Sequence, residues 1–394
     1  MPAEIEKPEC DMVSEASTGR DRRRVRDGEA GCPITQVAAG HWSVRGLAEG
    51  RTVLRSTDTR QAGLAVERMD KLPSGLRRPV LYRDGPEHRE HRRQTARFFT
   101  PRRVEQHYRP LMRRVVEEQL AVLRGAGSAD LSRLSFQLAL QVVAEVVGLT
   151  DSRPGIDRRL EAFFPAAPPG FLRLNLAWLR FHFGDVRPAV RARRRERRDD
   201  LISHLIDEGC RDSEILGECL TFAAAGMVTT REFINLAGWH LLADADLGQR
   251  YRTAAEPERL ALLHELLRLE PVVSRLSRRT TAPIELTGVT IPAGDLVDIE
   301  VSATNVDPAA VGDHPADIRP GRGLADGASP VALAFGDGPH RCPGAHIAML
   351  ESDLFLHALL NQPGITLESG PTVAYRPEIA AYELRGLRVS LRGC

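Results

Sequence analysis

Between Phe335 and Ala348 the chain reads Phe-Gly-Asp-Gly-Pro-His-Arg-Cys-Pro-Gly-Ala-His-Ile-Ala, and this segment restricts the fold more than any other. Three glycines (Gly336, Gly338, Gly344) and two prolines (Pro339, Pro343) impose a rigid turn, because glycine reaches backbone conformations closed to other residues and proline fixes φ. An amphipathic run from Ala345 follows at once. Backbone N–H groups of the turn can converge on the Cys342 sulfur while the positive end of a helix points at it. Both effects favour thiolate over a thiol whose ordinary pKa is about 8.5.

A thiolate so held is a metal ligand or a nucleophile. The nucleophile needs a His/Asn or His/Asp partner set that spacing does not reveal, and zinc would find only His340 and His346 close by. A single protein thiolate is also what an iron porphyrin requires, since the ring supplies the other equatorial ligands and sulfur pushes electron density towards O–O cleavage. A Gly-rich loop around a buried structural cysteine fits the segment equally well.

With 394 residues, 42% of them hydrophobic, the chain can bury a large core. Lys plus Arg (54) nearly cancels Asp plus Glu (53), so no global field steers the protein to nucleic acid or a membrane. The start is charged and arginine-rich with no apolar segment behind it, and no apolar run approaches the roughly 20 residues of a membrane span. A cytoplasmic protein is expected. The six cysteines, Cys10, Cys32, Cys210, Cys219, Cys342 and Cys394, show no CxxC spacing.

Apolar periodicity predicts helices over 45–56, 87–98, 104–124, 131–147, 191–207, 213–243, 258–270 and 345–360. Short strands are expected at 284–286 and 289–291, joined at Thr287-Gly288, then at 296–301 and within 375–391. Residues 1–35 read as a disordered segment, 36–394 as one domain, and 165–170 as a mobile loop. The arginine run 191–198 reads as a solvated helix face, since it lacks interleaved aromatics.

Phe335, Gly338, Cys342, Gly344 and Ala348 stand at the spacing of the haem-binding signature of the cytochromes P-450, and from about Trp42 onward the chain resembles that family. The resemblance implies a mainly α fold with a minor β region, a triangular helical prism with haem between a long oxygen-side helix and the cysteine loop. It makes Cys342 the iron ligand, with Phe335, Gly336, Gly344 and Ala348 shaping the loop. Glu265 and Arg268, as ExxR, resemble the family's buried ion pair, with Arg322 as third member. His88 and Arg92 match its HxxxR pattern and, with Arg278 and His340, would hold the haem propionates; Arg279 competes with Arg278.

On the oxygen side Ala225, Gly226 and Thr229 match the family's groove, but Val228 stands where the family has an acid. A water chain or Glu232, three residues beyond Thr229, is expected to stand in as the proton source. Gly226 has two readings, close approach of dioxygen or tight helix packing. Substrate contacts are expected from 72–80, Ala225, Val228, Val273, Ala381 and Tyr382; Phe163-Phe164, Pro168-Pro169 and the aromatic stretch 171–183 resemble the family's lid, with aromatic core packing an equal reading. The resemblance implies haem b, dioxygen, a small-molecule substrate, and electrons from NAD(P)H through a separate ferredoxin or flavodoxin and its reductase. Hydroxylation or epoxidation in natural-product tailoring is the activity this implies. Aryl coupling, nitration or peroxide-driven chemistry is the enzymatic alternative, and a haem sensor or carrier without turnover the other.

Overall fold

The computed structural model describes residues 22–26, 31–63, 66, 77–163, 171–325 and 327–391, with backbone alone at 171–175 and 378. In chain order the principal helices are α1 (Leu47–Arg55), α2 (Gly85–Thr95), α3 (Arg109–Ala126), α4 (Leu131–Val147), α5 (Phe171–Phe181), α6 (Arg187–Arg195), α7 (Leu201–Asp207), α8 (Asp212–Ala243), α9 (Ala245–Thr253), α10 (Glu256–Leu269) and α11 (Ala345–Leu360). The strands are β1 (Ile34–Ala38), β2 (His41–Val44), β3 (Thr59–Ala62), β4 (Ser128–Asp130), β5 (Arg275–Thr280), β6 (Ile284–Leu286), β7 (Val289–Ile291), β8 (Leu296–Glu300), β9 (Ile365–Ser369), β10 (Thr372–Arg376), β11 (Ala381–Arg385) and β12 (Arg388–Leu391). The chain groups into two compact units, Met1–Ala62 with Glu265–Pro339, and Gly63–His264 with His340–Cys394. The loop expected at 165–170 lies outside the described residues.

The first unit is built on a five-stranded sheet in the order β1-β2-β8-β5-β3, antiparallel except where β2 runs parallel to β8. Its core joins Val44, Leu47, Val53 and Leu54 to Val297, Ile299 and Leu333. Helix α1 lies close on this core because Gly50 has no side chain: a Cβ there would stand 3.0 Å from both Ile299 and Leu333. The β6–β7 hairpin turns at Thr287 and Gly288, both at positive φ as a two-residue primed turn requires.

Residues 24–26 of the first unit are held by one carboxylate. The buried carboxylate of Glu270 accepts backbone N–H bonds from Arg24 (2.5 Å), Val25 (2.5 Å) and Arg26 (3.3 Å). Arg26 is itself buried and donates to the carbonyls of Pro271 and Val272. A buried charge needs such donors, and charge-rich composition does not reveal them.

In the same unit Arg268, with no exposed surface, grips Glu265 through two bonds of 2.8 and 3.0 Å. Arg322 Nε reaches both Glu265 oxygens (3.2 and 3.0 Å), and Arg319 adds a backbone N–H at 2.9 Å. Arg268 also donates to the carbonyls of Asn305 and Pro315, and Asn305 Oδ1 accepts from Leu333 N at 2.8 Å. Leu333 lies two residues before Phe335, so the bond chain runs from the ion pair to the start of the glycine turn. Asp337 then accepts from Arg51, Arg55 and Gly338 N. Gly338, at φ +66°, would put a Cβ 2.3 Å from the Leu54 carbonyl, so no other residue fits there.

The second unit centres on α8, a 32-residue helix packed on α4 and α11. Glycines permit the approach: a Cβ at Gly238 would meet Leu131 at 2.8 Å and Leu356 at 3.3 Å. The helix expected over 191–207 is two helices, because the Asp200 side chain caps α7 through Ser203 N and also binds Arg193 Nε at 2.6 Å. Most of the arginine run is exposed as expected, with Arg193 the buried exception.

Removing the Glu265 carboxylate leaves Arg268 buried without its counter-charge, at a cost of about 3–5 kcal/mol. Glu265→Ala is expected to lower the thermal midpoint by several degrees and to yield protein with little bound haem, read from the Soret-to-protein absorbance ratio. Full haem content with an unchanged midpoint would refute a structural role for the pair.

Candidate functional site

Cys342 precedes α11 by three residues, and its sulfur accepts the backbone N–H of Gly344, the N-cap of that helix. Burial pushes the thiol up, while the Gly344 N–H, Arg92 and Arg341 pull the other way. The protein alone therefore does not make the thiolate that the turn and helix end suggest; a bound cation would, since it deprotonates a coordinating thiol outright. Arg92 donates to the carbonyl of Arg341, which fastens α2 beside the cysteine.

His88, one turn before Arg92 on α2, is 2% exposed, and its ring stacks on His340 with centroids 4.0 Å apart. His340 in turn meets Asp84 at 2.9 Å. Burial, then His340 and Arg92, lower the His88 pKa to about 3, so near neutrality it is an uncharged donor and Arg92 the cation. Among the described residues His88 Nδ1 has no partner. Nothing lies within 4 Å of where a Cβ would stand at Gly344. A lone thiolate donor, an orphaned imidazole nitrogen, a cation and an open glycine face match the needs of a haem and its carboxylates, so these residues fit the group.

Four expected residues lie in the first unit and are placed there separately. Arg278, on β5, is 3% exposed, whereas Arg279 reaches the surface carbonyl of Gly294. Phe335 and Gly336 are half-buried, Gly336 at φ +67°, and Val273 is half-buried too.

On α8 the expected groove divides by face. Ala225 is exposed, Val228 and Thr229 are half-buried, and the Thr229 hydroxyl donates to the Ala225 carbonyl at 2.6 Å. Gly226 takes the packing reading: a Cβ there would come 2.6 Å from Val143 of α4. Glu232 is fully buried, and both its oxygens are held elsewhere. One accepts from Leu384 N at 2.7 Å, the other from Arg231 and Arg385, so this carboxylate anchors β11 rather than standing free for Thr229. Ala381 and Tyr382, at the start of β11, are each 2% exposed and sit in the core rather than on an open wall.

The carboxyl that sequence reasoning missed is Glu351, nine residues beyond Cys342 on α11. It is 3% exposed, Thr230 of α8 hydrogen bonds to it, and Oε2 has no partner among the described residues. Burial pushes its pKa up to about 8. An acid between Leu350 and Ser352 gives no sequence signal; only the packing of α11 on α8 brings it to Thr230.

A helical fold with a cysteine at a glycine turn, a His/Arg pair beside it and a threonine-bearing long helix defines the class of haem-thiolate proteins. The sequence model of the cytochrome P-450 family matches residues 260–367, which include the ion pair and the cysteine turn. Across 84% of its length the chain is 30% identical to the cytochrome P-450 monooxygenase PikC of Streptomyces venezuelae, covering 80% of that protein. It is 31% identical to the erythromycin C-12 hydroxylase of Saccharopolyspora erythraea, again over 84% of this chain and 84% of the other. Among solved structures, P-450 StaH of glycopeptide antibiotic biosynthesis superposes with a TM-score of 0.77 at 25% identity, covering 92% of this chain and 95% of that one.

The chain belongs to the cytochrome P-450 superfamily. It is a monooxygenase, an oxidoreductase that incorporates oxygen, of a family whose iron carries a cysteine thiolate and whose electrons come from external partners. Among the described residues no helix is long and apolar enough to cross a membrane.

Glu351 sets a pH dependence. Its folded pKa of about 8 lies above the ordinary 4.5, so the native state holds a proton that the unfolded chain releases. The stability this contributes is fully present below the ordinary value and lost as pH rises through about 8. Thermal unfolding is expected to fall between about pH 5 and about pH 9, and Glu351→Gln, neutral throughout, to flatten that slope. An identical slope in the variant would place the raised pKa elsewhere.

Proposed function

We propose that the protein hydroxylates or epoxidises a small organic molecule in the tailoring of a natural product, with Cys342 holding haem b. The observation that carries this reading is the Cys342 turn at the head of α11, with Arg92 and His88 beside it. The antibiotic-pathway relatives support the choice of pathway class. NAD(P)H, through a ferredoxin or flavodoxin and its reductase, is the electron source proposed.

When bound, the haem supplies the reductive activation of dioxygen. Residues of this chain do the rest. Arg92 neutralises a propionate and His88, uncharged, donates a hydrogen bond to it; His340 is proposed for the same carboxylates. Cleaving dioxygen consumes two protons, and a positioned relay contributes roughly 10²–10⁴-fold to such transfers. Val228 can hold none. Thr229, on the open face of α8, orders the donor water, and Glu351 is the protonated carboxyl behind the threonine pair. Ala225 and Val228 present an apolar surface to the substrate.

The absence of an acid at Val228 favours one second reading, an atypical oxidation such as aryl coupling, nitration or peroxide-driven chemistry. Comparing products formed with NAD(P)H and redox partners against those formed with hydrogen peroxide separates the two.

Reduced protein with carbon monoxide is expected to show the Soret band of thiolate ligation. Cys342→Ala should abolish it, while replacing Cys32, Cys210 or Cys219 should not; a surviving band in Cys342→Ala would end the haem-thiolate reading.

Thr229→Ala is expected to leave NAD(P)H consumption largely intact and to divert it into hydrogen peroxide, lowering product per NAD(P)H by about tenfold or more. Glu232→Gln, which loosens β11, should lower thermal stability more than coupling. Full coupling in Thr229→Ala would mean that protons arrive by another route.

A further inference from the structure

Helix α2, which carries His88 and Arg92, reads Gly-Pro-Glu-His-Arg-Glu-His-Arg-Arg-Gln-Thr. Apart from the Pro86 ring it has no aliphatic or hydrocarbon side chain, and its buried residues are His88, His91 and Thr95. Most helices are held in place by an apolar face. For α2 that anchor stands just beyond its C-terminal end, where Phe98 is 1% exposed. The N-terminal end is held by polar ties. Asp84, immediately before the helix, meets His340 at 2.9 Å near the surface. The other tie is buried.

That tie is Glu218 of α8, 2% exposed. Both its oxygens accept the Val80 amide, at 3.0 and 3.1 Å, in the turn Val80–Tyr82 that precedes α2. Its Oε1 also pairs with Nη2 of the buried Arg83, whose Nη1 reaches Glu87 of α2 at 3.4 Å. Screening is weak between two buried charges, and removing either leaves the other unanswered. His91 of α2 cannot substitute. Its Nε2 stands 3.8 Å from Glu218 Oε1, and neither ring nitrogen has a hydrogen-bond partner among the described residues. Burial, then Arg83 and Arg77, lower its pKa to about 3, so it carries no charge to draw the helix in.

We propose that Glu218 is a positioning residue for His88 and Arg92: by holding the Val80 amide and the Arg83 guanidinium it fixes the N-terminal end of α2, and with it the aim of that pair at a haem carboxylate. Glu218 acts through Arg83 and the turn, from α8, and not by contact with the haem. The inference rests on the reading of His88 and Arg92 as haem-carboxylate donors and deepens it.

The geometry makes the tie act on direction more than on folding. With Phe98 as the fixed point, slack at the N-terminal end tilts the helix and displaces His88, about 5 Å along the axis from Gly85, more than Thr95. Arg92 lies between them, bonded to the Arg341 carbonyl beside the cysteine. Burial pushes the Glu218 carboxyl up to about 7 against the pull of Arg83, the Val80 amide and Arg77. The ionised tie is therefore read at about pH 8.5, where the carboxylate prevails.

Transfer of haem from the ferric protein to excess apomyoglobin reads the grip without turnover. Glu218→Gln keeps an acceptor for the Val80 amide but removes the charge that holds Arg83, and is expected to release haem about tenfold faster than wild type. Glu218→Gln with Arg83→Met leaves neither buried charge unanswered, so it serves where the single variant folds poorly, and should release haem as fast. In both, the haem-propionate bending band of the resonance Raman spectrum should shift while the carbon monoxide Soret band stays that of thiolate ligation. Asp185→Asn is the control for general loosening, since Asp185 is fully buried and paired with Arg159 away from α2. It should change neither release nor the Raman band. Release at the wild-type rate or an unmoved band in the Glu218 variants, or an equal change in Asp185→Asn, overturns the positioning role. Arg92→Leu tests the reading beneath it: wild-type release there overturns the assignment of the pair to haem carboxylates, whereas fast release there with unaltered Glu218 variants overturns the role of Glu218 alone.

Discussion

A guanidinium with no exposed surface is the condition on which the first unit is built. Desolvating Arg268 is tolerable only because Glu265 answers it with two bonds, and Glu265 is tolerable only because Arg322 and the Arg319 amide complete its shell. Arg268's remaining donors go to the Asn305 and Pro315 carbonyls, and Asn305 passes the restraint to Leu333. The cysteine turn begins two residues later. The residues that lead into that turn are therefore tied to an electrostatic requirement lodged in a helix far from them in sequence.

The features legible in the chain were those whose signal is local. The turn at Cys342 and the helices Leu131–Val147 and Ala345–Leu360 show themselves through glycine, proline and apolar spacing, and the hairpin at Thr287-Gly288 through its turn residues. Of the five-stranded sheet only β8 was legible: β2 and β3 are four residues long and find partners in β8 and β5, more than two hundred residues away, and no turn or alternation signal marks β1 or β5. The break between α6 and α7 hangs on one aspartate that must both cap a helix and neutralise Arg193.

The oxygen-side helix shows the same limit at the level of single residues. Helical spacing puts Glu232 near Thr229, yet tertiary donors on β11 claim it. Spacing could not choose between two reasons for Gly226, and Val143 decides it. Thr229 and Thr230 are adjacent in sequence but face opposite ways, one to the open groove and one to the buried Glu351. A helix with two such faces can receive substrate on one side and store a proton on the other.

The five-stranded sheet also bears on how the chain comes to be folded. Its strands come from the first 62 residues and from 275–300, so a nascent chain leaving the ribosome exposes β1, β2 and β3 long before β5 and β8 exist. The same holds for Arg24 and Arg26, whose anchor is Glu270. Helices α3, α4 and α8, through the contacts of α4 with the other two, can assemble during that interval. The opening segment must wait unpaired, and its wealth of arginine, with few apolar side chains, suits a strand that has to stay dissolved until the far end of its sheet is made.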